Sequence, residues 1–214
     1  MVKLVIFDWD GTLFDSIDKI CLSMLKAGLH VGAPLKTKGD IKNIIGLSLD
    51  KAVHTVWPEC SPQMQNDIIE HYKTLYVASD QVPPLAYPGV MNVLDKLHAA
   101  GVKMAVATGK SRRGLNRVMS LTNTNNYFLT SRCADEAVSK PDPLMLNQIL
   151  TELDILPEHA IMIGDTEYDL NMATNAGMKS IGVTYGAHQE ERLKACQPHA
   201  IINDFNQLSN ILGL

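Results

Sequence analysis

Asp8 and Asp10 lie two residues apart in the run Asp8-Trp9-Asp10-Gly11-Thr12-Leu13-Phe14-Asp15-Ser16, directly after an apolar stretch at residues 2–7. Two carboxylates that close, just off a buried strand, are costly together unless a cation or a proton lies between them. Gly11 and Thr12 are suited to turn the backbone so that N–H groups face the same point. A D-x-D after a strand is often only a solvated turn, but the G-T-L that follows and the Asp15-Ser16 pair sharpen the signal. Three later groupings share the pattern. Thr108-Gly109-Lys110 offers a hydroxyl and backbone N–H groups where a strand feeds a helix, which is an anion site in one reading and a plain helix cap in the other. Lys140-Pro141-Asp142-Pro143 places a lysine before a proline-opened helix, where surface charge is the bland alternative. Gly164-Asp165-Thr166-Glu167-Tyr168-Asp169 sets two acids four apart on one helix face, or else an N-cap at Asp165 and a solvated Asp169. Each later grouping is weak alone. Taken in order they supply the parts of a phosphoryl-transfer site: a carboxylate nucleophile, acids for a hard cation, a hydroxyl and amide cradle, and a lysine.

These groupings need strand ends to hold them. Residues 2–7 read as a short buried strand that stops at Asp8. From 16 to 29 the apolar positions Ile17, Ile20, Cys21, Met24, Leu25 and Leu29 recur at helical spacing, with Ser16 as N-cap. Further helices are expected near 48–56, opened by Ser48, and 62–79, with no strand between 16 and 82. The proline-dense stretch 82–89 reads as a stiff return linker. Strands at 102–107, 160–163, 179–183 and 199–202 then alternate with helices at 90–101, 111–121, 142–153 and 167–176. Such alternation implies parallel pairing through right-handed crossovers, hence an α/β, Rossmann-like doubly wound sheet. The expected organisation is an α/β core of 1–15 plus 84–214 with an all-helical cap inserted at 16–83. In such a sheet ligands collect beyond the carboxyl ends of the strands, where all four groupings fall.

The 214 residues fit one large domain, or one domain with a smaller insertion, and a hydrophobic fraction of 46% is ample for a core. A formal charge of -4 without a basic stripe argues against a nucleic-acid partner. The four cysteines are widely separated, and the seven histidines show no ligand spacing. No stretch approaches the length of a membrane helix, and no leader pattern opens the chain. These features predict reduced thiols, a cytoplasmic protein with no membrane partner, and a monomer or weak homodimer.

The four groupings, in order and over the entire chain, resemble the motifs of the haloacid dehalogenase superfamily. The position of the cap resembles the helical cap class of phosphoglycolate phosphatases, β-phosphoglucomutases and related pyrophosphatases. The resemblance implies a Mg2+-dependent phosphatase acting on a small phosphorylated metabolite, phosphoglycolate-like, through an aspartyl-phosphate on Asp8. By it, Asp10 protonates the leaving oxygen and then activates water, and Thr108, Gly109 and Lys110 bind the phosphoryl oxygens with Gly11 and Lys140. Asp8, the Asp10 carbonyl and Asp165 hold the metal, and Asp169 orients a water of that site.

The resemblance also places substrate choice in the cap, where Gly46-Leu47-Ser48-Leu49 is a candidate loop. Lys42 and Lys51 are read there as a solvated face, and Trp9 and Trp57 as packing residues. A phosphosugar mutase is the nearest alternative, disfavoured by Thr12, Phe14 and the Gly164-Asp165 pair; a pyrophosphatase is another. A carbon–halogen hydrolase has no need of Asp10 and Asp165 around a metal. A receiver-like regulatory protein fails on motif order, and a non-catalytic phosphate-binding protein is disfavoured because every motif residue is present.

Overall fold

The computed structural model describes residues 2–78 and 83–214. β1 (Leu4–Phe7) is followed by β2 (Phe14–Asp15), and then by the helices α1 (Ile17–His30), α2 (Lys38–Lys42), α3 (Leu49–Val56) and α4 (Pro62–Ala78). The chain returns through β3 (Leu85–Ala86), which pairs antiparallel with β2, so the stretch expected as a bare linker carries half of a small ribbon. Its first residue, Val82, and the last residue of the expected 62–79 helix lie outside the described residues. Beyond β3 come α5 (Val90–Ala99), β4 (Lys103–Ala107), α6 (Arg112–Thr122), β5 (Thr130–Arg132), α7 (Leu144–Leu153), β6 (Ala160–Gly164), α8 (Glu167–Asn175), β7 (Lys179–Val183), α9 (Glu190–Ala195), β8 (Ala200–Ile202) and α10 (Gln207–Leu212).

Six strands form one sheet in the order β5-β4-β1-β6-β7-β8, every pairing parallel, as the alternation of elements predicts. β1 is central, hydrogen-bonded to β4 on one side and β6 on the other. It is buried on both faces, which is why it reads as an unbroken apolar run. Successive side chains alternate across the sheet. Val5 and Phe7 join Val90, Val93 and Leu94 of α5, Leu115 and Val118 of α6, and Leu208 of α10. Leu4 and Ile6 join Met145, Leu146 and Ile149 of α7 with Met172 and Ala173 of α8. Helices thus cover both faces, and β1 is held rigidly at the centre of the molecule.

The helices α1–α4 bury a cluster of their own, built on Ile17, Ile20, Met24, Ile41, Val53 and Ile68. Trp57 is 1% exposed within it, and Trp9 is stacked on Phe14 at 4.7 Å, so both tryptophans pack as expected. Some boundaries differ from expectation. α7 starts at Leu144 rather than Asp142, because the Asp142 carboxylate accepts the Leu144 N–H and Pro143 takes the capping position. Ser16 sits at the N-cap of α1 without capping it; its hydroxyl is turned to Asp10 instead. No described helix is long and apolar enough to cross a membrane, and all four cysteines are free.

Candidate active site

Three adjacent strands end at one place. Asp8 follows β1 and donates its N–H to Ile163 O of β6 at 2.9 Å; Thr108 follows β4; Asp165 follows β6. Lys140 arrives from the loop between β5 and α7. Its Nζ lies 2.9 Å from Asp8 Oδ1 and 2.6 Å from Asp169 Oδ1. Asp8, Thr108, Lys140, Asp165 and Asp169 are each at most 1% exposed. The bland readings of Lys140 as surface charge and of Asp169 as solvated therefore fail: the fold removes both from water.

Ligand atoms of Asp8, Asp165 and Asp169 all lie within 4.8 Å of one another. Burial pushes the Asp8 carboxyl up to about 7, with Asp169 and Asp10 adding to the rise and Lys140 opposing it. Burial also raises Asp165, helped by Asp8 and Asp169, while the Ala187 N–H and Thr12 hydroxyl act against the rise. Burial works against the Lys140 ammonium, but Asp169 and Asp8 outweigh it and keep the group charged. Lys140 Nζ forms an ion pair with Asp8 Oδ1, and among the described residues neither Asp8 oxygen has a partner in hydrogen-bond geometry. Three buried carboxylates against one lysine, with hard oxygen donors left unmatched, fit a hard divalent cation. Asp169 is the least available of the three. Oδ1 is on Lys140, and Oδ2 accepts the Thr166 N–H at 3.1 Å and its hydroxyl at 2.7 Å.

Asp10 is turned out of this cluster. Its Oδ1 accepts the Ser16 hydroxyl at 2.5 Å, and Lys110 Nζ lies 3.1 Å from Oδ1 and 3.0 Å from Oδ2. Any share of Asp10 in a metal site thus falls to its backbone carbonyl. Two amide expectations are corrected. The Gly11 N–H is donated to Phe14 O at 3.0 Å, closing the turn on itself rather than facing a ligand. Gly11 is needed for another reason: its φ is +83°, and a Cβ there would overlap Asp165 Oδ2. The Lys110 N–H is donated to Thr108 Oγ1 at 3.2 Å, so it orients that hydroxyl, and the Lys110 side chain is the part that reaches the acids.

Thr12 was marked in the sequence for its backbone rather than its hydroxyl, and Tyr185, Gly186, Ala187 and Tyr76 carried no mark. The Thr12 hydroxyl donates to Asp165 Oδ1 at 2.7 Å, and Tyr185 OH holds Thr12 O at 2.9 Å. The Ala187 N–H donates to Asp165 Oδ2 at 2.8 Å, and a Cβ on Gly186 would overlap the Asp165 side chain. The loop after β7 begins at a strand end like the others, so the same positional rule points to it. Tyr76, whose hydroxyl is 3.1 Å from Lys110 Nζ, lies on the far side of the helical insertion in sequence and has no such signal.

The helical segment sits against the site. The Leu47 and Gly46 carbonyl oxygens would be 2.6 and 2.7 Å from a Cβ on Gly109, and the Ser48 N–H donates to Ser139 Oγ at 2.9 Å. The 46–49 loop thus meets the loop that carries Thr108. Lys51 lies exposed on α3 and Lys42 is half-buried. Asn43 gathers three further contacts. Its O accepts Tyr168 OH at 2.8 Å and faces His188 Nε2 at 3.3 Å, and its Oδ1 accepts Arg192 Nη1 at 2.8 Å. His188 Nδ1 accepts the Glu167 N–H at 3.1 Å, so the ring proton is on Nε2 and points at Asn43. Burial, and next Arg192, hold His188 below the usual histidine range, in keeping with that neutral form.

Residues 5–183 match the family described as haloacid dehalogenase-like hydrolase. The chain is 29% identical over 219 residues to a phosphoglycolate phosphatase of Vibrio vulnificus, covering 99% of this chain and 96% of that protein. It is 32% identical over 212 residues to the probable phosphatase IndB of Dickeya dadantii, covering 97% and 92%. A predicted phosphoglycolate phosphatase of Haemophilus somnus shares the fold with a TM-score of 0.90 at 22% identity, over 99% of this chain and 98% of that one.

Proposed function

The chain belongs to the haloacid dehalogenase-like hydrolases as a phosphoric monoester hydrolase, and we propose that it is a magnesium-dependent phosphatase of small phosphorylated metabolites working through an aspartyl-phosphate on Asp8. The observation that carries this reading is the state of Asp8. It is buried at the end of the central strand, ion-paired to Lys140 and beside two further acids, and no described residue meets its oxygens in hydrogen-bond geometry. A nucleophile needs that kind of unmatched, fixed oxygen, and a cation to keep it ionised.

In the first step an Asp8 oxygen attacks phosphorus in line, and the phosphorus–oxygen bond to the leaving group breaks. Asp10 gives that oxygen its proton and then takes one from the water that cleaves the aspartyl-phosphate. The Thr108 hydroxyl, whose oxygen already accepts the Lys110 N–H, keeps its own proton to donate to a transferring phosphoryl oxygen. Lys140 offsets charge on both Asp8 and the phosphoryl group. Asp8, Asp165 and the Asp10 carbonyl would hold magnesium, with Asp169 beside them, and the ion would supply charge neutralisation at the phosphoryl oxygens. Asp165 is fixed for that role by Thr12 and Ala187. The helices α1–α4 form the cap that covers the site and excludes water. The whole assembly needs no membrane or nucleic-acid partner, and a cytoplasmic location fits the free thiols.

Phosphoglycolate is the first substrate to test, because relatives named for it align over nearly the whole chain. A panel of phosphometabolites that includes pyrophosphate and hexose phosphates, assayed with magnesium and with a chelator, tests the reading. Phosphate release that requires magnesium, and a mass increase of one phosphoryl group on a peptide containing Asp8 after quenching in acid, are expected. No release from any member of the panel would overturn the phosphatase reading.

A further inference from the structure

Asp165 is gripped from several sides. Its Oδ1 accepts the Thr12 hydroxyl at 2.7 Å, and its Oδ2 accepts the Ala187 N–H at 2.8 Å. Two glycine backbones lie against the same side chain. A Cβ added at Gly11 would overlap Asp165 Oδ2, and one at Gly186 would overlap both Oδ2 and the Asp165 Cβ. The carboxylate can neither turn nor withdraw without losing a hydrogen bond or meeting main chain. The other two acids are held differently. Asp169 is engaged by Lys140 and Thr166, and Asp8 meets no described donor in hydrogen-bond geometry.

Tyr185 ties this socket together. It lies in the loop after β7, two residues before Ala187, and its hydroxyl donates to Thr12 O at 2.9 Å. One side chain thus joins the two segments that supply the donors to Asp165. Both ends of the loop are fixed, by the Thr184 N–H on Ile202 O at 3.0 Å and the His188 N–H on Asp165 O at 3.3 Å. The Tyr185 ring lies on that of Tyr87, with centroids 4.4 Å apart, and the Tyr87 N–H donates to Leu13 O at 3.0 Å. The hydroxyl therefore reaches Thr12 from a ring already packed beside the same turn.

We propose that Tyr185 is a positioning residue for Asp165, acting through Thr12, and that the socket it secures selects magnesium over the larger calcium ion. The inference rests on the magnesium-dependent reading above and deepens it. Magnesium takes oxygen ligands at about 2.0–2.1 Å in near-ideal octahedral geometry, whereas calcium takes them at about 2.3–2.6 Å, in looser geometry and often from both oxygens of one carboxylate. Calcium therefore requires Asp165 to retreat by a few tenths of an ångström or to turn both oxygens on the ion. The main chain at Gly11 and Gly186 blocks the retreat, and the bonds from Thr12 and Ala187 oppose the turn. Rigidity of the ligand set is one of the features that separate the two ions, and the partners that orient a ligand supply that rigidity.

The test titrates magnesium chloride and calcium chloride into the full chain without substrate, followed by calorimetry and by the rise in Tm over a chelator control. Wild type, Tyr185→Phe, Thr12→Val and Thr12→Ser are compared. We expect the wild type to bind magnesium more tightly than calcium. Thr12→Val should weaken magnesium by roughly 10–100-fold, the loss usual when a group orienting a metal ligand is removed, and Tyr185→Phe, one bond further out, by roughly 3–10-fold. Calcium should weaken far less in both, so the ratio between the ions falls. Thr12→Ser, which keeps the hydroxyl, should keep the wild-type ratio. If Thr12→Val does not fold, Tyr185→Phe, which retains the ring on Tyr87, decides. A wild-type ratio near one, or a ratio unchanged in the variants because neither ion or both ions weaken alike, overturns the inference and leaves the phosphatase reading standing. Turnover that survives a chelator, with neither ion bound by the wild type, overturns the magnesium dependence itself.

Discussion

Lys140 Nζ stands closer to Asp169, at 2.6 Å, than to Asp8, at 2.9 Å, although Asp8 is the residue at the end of the central strand. The ammonium is shared between the two carboxylates, with the shorter contact to Asp169. A lysine shared in this way offsets charge on both acids, as the proposed attack by Asp8 requires. Asp169 is itself pinned by the Thr166 N–H and hydroxyl, so the position of the ammonium is set from α8 rather than from its own loop.

Asp8→Asn should abolish turnover, lowering kcat by roughly 10⁴-fold or more, because an amide cannot form the acyl phosphate. The fold should survive. The replacement is nearly isosteric, it removes one of the buried negative charges crowded at the site, and Lys140 keeps Asp169. Melting in metal-free buffer at pH 8 should be unchanged or a few degrees higher; retained activity would sink the covalent route.

Metal-free stability should fall as pH rises. Asp8 goes from its ordinary 3.8 to about 7 in the folded protein, and Asp165 is raised as well. A carboxyl raised by folding binds more protons folded than unfolded across that window. Its contribution is thus present at low pH and is lost as pH climbs from about 4 through about 7, by up to about 1.4 kcal/mol per pH unit for each proton. Magnesium supplies the missing positive charge only when the carboxylates are ionised. Its stabilisation, read as the rise in Tm over a chelator control, should be small at pH 5 and larger at pH 8. Asp8→Asn should flatten the trend. A magnesium shift independent of pH would remove the carboxylates from the explanation.

The sheet was legible because β1, β4, β6 and β7 are buried parallel strands, and such strands announce themselves as apolar runs. β5 was not, since Thr130-Ser131-Arg132 is polar and lies at the edge of the sheet, where one neighbour suffices. β2 and β3 are two residues each and gain their identity only by pairing across some seventy intervening positions. At the site, Asp8 and Asp165 were readable from their place after strands, and Lys140 from its place before a proline-opened helix. The partners of Asp10 were harder to find. Ser16 looked like a helix cap, and Lys110 like a source of a backbone N–H, because nothing local says that their side chains converge on one carboxylate.

Gly109→Ala should impair closure without unfolding the sheet. The added Cβ would stand 2.6 Å from Leu47 O and 2.7 Å from Gly46 O, both backbone atoms that cannot swing aside. Relief requires the 46–48 loop to move away from Thr108. We expect kcat/KM to fall by roughly 10–100-fold, in the range a small misplacement in an active site produces. Limited proteolysis should cut the helical segment faster while Tm changes little. Unaltered kinetics would mean that this contact is not made during turnover.

Asn43 bonds from the cap to α8, the loop after β7 and α9 at once. Tyr168→Phe combined with Asn43→Ala removes two of these bonds and leaves the Arg192–Glu167 ion pair, 2.6 Å long, intact within the core. At about 1 kcal/mol for each bond the pair amounts to about 2 kcal/mol, a factor of roughly 30 in the ratio of closed to open cap. The loss should appear as a higher KM and faster amide exchange across residues 38–49, with exchange in β1, β4 and β6 unaffected. The same loop that meets Asn43 holds Asp165, through the Ala187 N–H to Oδ2 at 2.8 Å. Loosening the cap should therefore also weaken the apparent affinity for magnesium, measured by titration calorimetry without substrate, because a coupling between closure and metal binding acts in both directions. Slower turnover with unchanged magnesium affinity would show that the loop after β7 holds Asp165 independently of the cap.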